Sequence, residues 1–193
     1  MTELTETDRA AIARVLDFWF SPEAGDDEAR WFKRSEAFDR AVRESLADDH
    51  TRAAAGACEA WRETAEGCLA LVLLLDQVPR NLYRDDPRAF ASDAQARAVT
   101  RHAVAQGLDL QLAGQVQRMF LYMPLEHSET LADQEDCCRL MGSLDDNPDW
   151  AVWAVKHRDI VARFGRFPHR NAVLGRESSA EERDFLTQPD SSF

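Results

Sequence analysis

Along most of this chain apolar residues recur at steps of three and four, the spacing that gathers them on one face of an α-helix. From about Asp8 to Phe20, Ile12, Val15, Leu16 and Trp19 form such a stripe, and Ser21–Pro22 is the expected stop. From about Glu28 to Ala47 the chain carries Trp31, then Phe38, Val42 and Leu46 four apart, with Ser35 as a divider. An alanine-rich stretch, roughly Thr51 to Thr64, places Cys58 and Trp61 three apart. Gly67 then introduces "CLALVLLL", residues 68–75. Eight consecutive apolar residues also suit a buried strand, but helical neighbours on both sides and the leucine bias favour a central helix. Proline disfavours the α conformation at the residue before it, so this helix is expected to end near Val78, ahead of Pro79.

Beyond a loop, Ser92 and Gln95 have the spacing of a capping box, and Gly107 closes that helix. The next runs from about Gln111 to Met123, with Val116, Met119, Phe120 and Met123 on one face and Pro124 after it. Ser128 or Thr130 can cap a helix that buries Leu131, Cys138 and Met141 and ends at Gly142. Asn147–Pro148 is an N-cap and first-position pair for the stripe Trp150, Trp153, His157, Ile160, Val161 and Phe164. Gly165 suits the left-handed position just past its end. A last short helix starts at Ser178 or Ser179, each with a glutamate three residues on, and buries Phe185 and Leu186. With no strand or hairpin signal, the pattern predicts one all-α domain over residues 1–193, of about eight or nine helices. Its tail, from about residue 187, is expected to be loose.

The charge is strongly acidic, −12 over 193 residues, which argues against a phosphate-tracking nucleic-acid surface. It is also uneven. From Lys156 to Arg176 six cations face one aspartate, a local +5 that leaves −17 on the rest. Such an island can hold a small anion without attracting a polyanion. The polar, acidic start resembles neither a signal nor a transit peptide, and the longest apolar run is too short to span a bilayer. The expectation is a cytoplasmic protein without membrane or nucleic-acid partners. Its four cysteines, Cys58, Cys68, Cys137 and Cys138, lack CxxC spacing and read as reduced core residues.

Three polar clusters sit at the ends of apolar helices, beside prolines and aromatics. Asp76, Gln77, Arg80 and Asn81 follow the most apolar run; Glu126, His127 and Glu129 follow Pro124. Arg166, His169, Arg170 and Asn171 lie in "FGRFPHRN", one helix after His157. Each also has a plain structural reading: caps, ion pairs, a hydrogen-bonded core histidine, and turn punctuation at Gly165 and Pro168. Metal binding lacks support, because "EHSE" is not HExxH and no two histidines lie four apart on a helix. His127, His157 and His169 could converge with a carboxylate in space, but their spacing does not say so. There is no G-x-S-x-G, no Gly-rich phosphate loop and no cofactor motif.

Taken in order, "LLLDQVPRNLYR", "FLYMPLEHSE" and "HRDIVARFGRFPHRN…LGR" resemble the bacterial family catalogued as domain of unknown function 924. The resemblance extends to "VLDFWF", "RWF", Trp61 and "EERDFL", and so covers nearly the whole chain. It rests on Asp76, Gln77, Pro79, Arg80, Asn81, Pro124, His127, Ser128, Glu129, Gly165, Arg166, Pro168, His169, Arg170 and Asn171. What it implies is an all-helical, TPR-like fold of right-handed helix pairs and a shared polar site, without an established activity.

The residues therefore predict that the three clusters meet and bind a small anionic ligand, with turnover left open. Arg80, Arg166 and Arg170 would clamp the anion, since guanidinium groups give bidentate contacts. His127, His157 and His169, with Glu126 or Glu129, are the candidates for proton transfer. Asp76, Gln77, Asn81 and Asn171 would orient them. Two alternatives stand beside this: a TPR-like module holding a peptide carboxylate in the same basic patch, and clusters that only tie helices together. No metal and no cofactor is expected.

Overall fold

The computed structural model describes residues 3–21, 29–189 and 191–192, and these form helices and turns without a strand. The first, α1 (Glu6–Phe20), opens with a capping box between Thr5 and Asp8 and buries Ala11, Ile12, Val15 and Trp19. The expected stop at Pro22 and the start at Glu28 lie outside the described residues. Ser35 does divide α2 (Ala29–Phe32) from α3 (Glu36–Ala54), its hydroxyl accepting from Phe38 N at 3.3 Å. Residues 51–54 belong to α3, and the rest of the expected alanine-rich helix is a turn followed by one 3-10 segment, Glu59–Glu63. Gly56, at φ +76°, breaks the register between them.

Contrary to the expectation from Pro79, the central helix does not stop before it but runs from α4 (Ala65–Val72) through a π turn, Leu73–Gln77, into α5 (Val78–Leu82). Thr64 caps its start by accepting from Gly67 N at 3.1 Å. Any side chain at Gly67 would collide with the Trp61 carbonyl oxygen. The π turn sends Val78 N–H back five residues to Leu73 O, which leaves Leu74 O without its helical donor. His50 Nδ1 lies 2.7 Å from that oxygen. Pro79 has no N–H to give Leu75 O, and the Ser92 hydroxyl donates there instead, at 2.6 Å. Proline is tolerated inside this helix because His50 of α3 and Ser92 replace the lost backbone donors.

That use of Ser92 explains a third difference. Ser92 still precedes α6 (Asp93–Ala105), but it forms no capping box, and Gln95 donates to Ala54 O at 3.1 Å. Likewise α7 (Gln115–Glu126) starts later than expected and carries Pro124 within it. Residues 119 to 126 of α7 are all buried, so packing holds the helix through a proline that sequence alone reads as a terminator.

Then come α8 (Leu131–Met141), α9 (Asp149–Phe164) and α10 (Ala180–Phe185). Gly165 ends α9 at φ +68°, and Ser179 with Glu182 forms the expected capping box of α10. Leu131 and Trp153 are exposed, whereas Phe185 and Leu186 are half-buried beside a buried Glu182. Ser191 is buried and donates to Leu186 O at 3.2 Å.

Two apolar clusters result. The larger is built around the central helix with α1, α3, α6, α7 and α8, and includes Trp19, Trp61, Leu69, Leu73, Leu74 and Phe120. Full burial of each such side chain contributes about 1.5–3 kcal/mol. The smaller joins Ile160, Val161 and Phe167 to Phe164 and Phe185. No helix among the described residues is long and apolar enough to cross a membrane.

Candidate functional site

The three polar segments meet at the seam between these two clusters. The π turn places Asp76, fully buried, so that its Oδ1 lies 2.8 Å from His127 Nδ1 and 3.2 Å from an Arg80 nitrogen. Gln77 donates to the other oxygen, Oδ2, at 2.7 Å. Burial by itself would raise the Asp76 carboxyl, but Arg80, His127 and Gln77 overcome that and hold it well below the usual range. Arg80 in turn forks onto Asp93 of α6 at 3.0 and 3.1 Å.

From the C-terminal side, Arg170 donates to the main-chain oxygen of His127 at 2.9 Å. Its guanidinium lies between the rings of Phe90 and Phe167, 4.8 and 4.6 Å from their centroids. Asp93 Oδ2 stands 3.9 Å away, and the Arg170 Nε is buried without a hydrogen-bond partner among the described residues. Burial, followed by the charge of Arg80, pulls this guanidinium down to about 10.

Next to it, His157 Nδ1 lies 2.9 Å from Trp153 O and 3.2 Å from Glu126 Oε1. That spacing suggests an ion pair, but both groups are driven neutral. Burial and the nearby Asp76 push Glu126 up to about 8, and burial takes His157 down to about 4. The pair is a protonated acid beside a neutral imidazole. Burial also lowers His127, against the pull of Asp76, and takes His169 down to about 3. The His169 ring sits 5.6 Å from that of Phe167.

Not every expected residue joins this constellation. Arg166 is spent on Glu182 at 2.6 and 2.8 Å and on Glu177 O. Glu129 accepts from Phe167 N at 2.8 Å and is clasped by Arg176 at 2.7 and 2.9 Å. Asn81 links the Gln77 carbonyl to Arg84. Asn171 reaches Ser178, while its buried Oδ1 has no partner among the described residues.

The basic island is thus largely neutralised by carboxylates: Arg158 by Asp159, Arg163 by Glu181, Arg166 by Glu182, Arg176 by Glu129. Among its arginines, Arg170 stands apart in having no carboxylate at bonding distance among the described residues. A cavity of about 110 Å³ beside Cys58, Arg62 and Gln95 lies elsewhere and shares no residue with the cluster.

Sequence reasoning missed Asp93, Arg176, Phe90 and Phe167. Asp93 reads as an ordinary first-turn acid favoured by the helix dipole, and its pairing partner is 13 residues back. The available signal was Arg80 at the exit of the most apolar helix, a cation in need of a counter-charge.

Comparison with solved structures finds a protein of unknown function from Agrobacterium tumefaciens. It is 41% identical over 92% of this chain and 97% of that one, with a TM-score of 0.85. No curated protein matches. The model of a family described as bacterial protein of unknown function matches residues 15–190, spanning the three segments that build this seam, and the chain belongs to that family, DUF924.

Proposed function

We propose that the seam is a binding site for a small anionic ligand, with His127 and Glu126 able to move a proton on it. The observation that carries this reading is Arg170. A buried guanidinium is costly unless its charge is compensated, and here its bonded acceptor is a neutral carbonyl. An anion entering between Phe90 and Phe167 would supply what Asp93, at 3.9 Å, supplies only in part. His127 is a neutral imidazole oriented by a carboxylate, the arrangement of a general base, and Glu126 is a carboxylic acid kept protonated, the arrangement of a general acid.

Burial also bears on the competing reading. In a TPR-like arrangement the same patch would hold a peptide carboxylate in an open groove. With Arg170 at 7% exposure and the His127 side chain at 13%, a small molecule fits better. Calorimetry with a panel of acetate, phosphate and sulfate tests the site. Arg170→Met should weaken the best anion by about 10- to 100-fold, the worth of about 1.5–3 kcal/mol for a charge-assisted bond. A wild type that binds none of them, or a variant that binds as well as wild type, would overturn the reading.

A further inference from the structure

We infer that the ligand is a small hydroxy monocarboxylate, its carboxylate on Arg170 and its hydroxyl donating to His127 Nε2. This rests on the anion site proposed above and follows from what its two sides demand of one molecule.

The first side is His127. Its Nδ1 faces Asp76 Oδ1 at 2.8 Å, and that carboxylate also accepts from Gln77 and lies 3.2 Å from Arg80. An ionised carboxylate only accepts, so the imidazole proton belongs on Nδ1, and Nε2 presents a lone pair. No described residue donates to Nε2. A bare carboxylate oxygen placed there would set acceptor against acceptor. Whatever meets Nε2 has to bring a proton.

The second side is Arg170, which can only donate. Its bond to the His127 carbonyl oxygen ties the cation to the residue that carries the imidazole. One small molecule touching both therefore needs an anionic acceptor and a separate, uncharged or cationic donor.

Charge narrows the class further. Asp76 and Asp93 are bonded to Arg80 and Glu129 to Arg176, while Arg170 meets Asp93 only at 3.9 Å. One cation in incomplete contact favours a ligand with one negative charge over two, since a second would enter buried ground without a partner. An ammonium donor would bring a cation towards Arg80 and Arg170. A hydroxyl donates without charge.

The test compares glycolate, acetate, glycine and sulfate against the full chain at pH 7 by ligand-observed NMR titration. Glycolate should bind about three- to tenfold tighter than acetate, the worth of one hydrogen bond, with glycine no tighter than acetate and sulfate weakest. His127→Phe should erase the preference for glycolate over acetate, provided its thermal melt is cooperative; the wild-type ranking decides if the variant does not fold. Glycolate equal to acetate, or sulfate tightest, would overturn this inference while leaving the anion site standing. No binding by any of the four would remove the site and the inference together.

Discussion

The hydroxyl of Ser92 donates to the carbonyl oxygen of Leu75 at 2.6 Å, in the place where an N–H of residue 79 would point if that residue were not proline. Ser92 is 3% exposed, so nothing from solvent substitutes for it. The same residue precedes Asp93, the carboxylate bonded to Arg80 and 3.9 Å from Arg170. A repair of the central helix and the counter-charge of the polar seam are therefore held by adjacent residues.

Ser92→Ala should cost about 1–3 kcal/mol, since it leaves a buried carbonyl unsatisfied. In a Pro79→Ala background the restored N–H gives Leu75 O a donor, and the cost of Ser92→Ala should shrink by half or more. Urea denaturation of the four proteins reads this coupling directly. Strictly additive costs would show that Ser92 does not stand in for the missing donor.

Stability should peak near pH 6.5. His157 and His169, lowered to about 4 and about 3 by burial, are neutral in the folded chain, while the unfolded chain takes up protons below about pH 6.5. Stability contributed by their burial is lost as pH falls. Glu126 works the other way: its folded carboxyl, raised to about 8, holds a proton that the unfolded chain releases above about pH 4.5. Between about pH 4.5 and 6.5 the histidines outnumber it, and above that range Glu126 outweighs them. Raising the pH from 6.5 to 8 should cost about 1 kcal/mol, because the last unfolded-state protons on the histidines offset part of the Glu126 loss. Glu126→Gln should abolish that alkaline decline in a series of thermal melts. A variant that declines as wild type does would show that Glu126 is ionised in the fold.

Arg166 and Arg170, four residues apart, should separate in experiment. Arg166→Ala leaves the buried Glu182 without its partner and should lower Tm, while anion affinity in the folded protein stays as in wild type. Arg170→Met should do the reverse, weakening the anion more than the fold. Equal losses of affinity in both variants would mean that the whole basic stretch acts as one diffuse cationic patch.

Thiol reactivity should be low in the native protein. Burial pushes Cys68 up to about 12 and Cys137 well above the ordinary thiol range. Both should react with an aromatic disulfide reagent only as fast as the chain unfolds, with all four thiols titrating in denaturant. Rapid labelling of Cys137 in buffer would mean that the α8 packing opens locally.

Local order was legible because its causes lie within a few residues of one another. Ser35 as a divider, Gly165 in the left-handed position and the Ser179–Glu182 capping box each depend on a side chain and a backbone group one turn apart. The three polar segments could also be picked out, because a charged cluster on the end of a buried helix needs buried partners. Pro79 and Pro124 could not be judged this way. Whether a proline ends a helix or is carried through it depends on donors and packing from elsewhere in the chain, here Ser92, His50 and the buried face of α7.

The same holds for charge. Counting along residues 156–176 predicts a cationic island able to hold a small anion, but ion pairs form with whichever carboxylate the fold brings within about 3 Å. Glu129, Glu181 and Glu182 neutralise three of its arginines. Which side chains are charged, and which helices carry them, follows from residue order alone. That Arg170 becomes the buried cation bonded to a carbonyl follows from packing, because Coulomb attraction and desolvation act through distance in space and not along the chain.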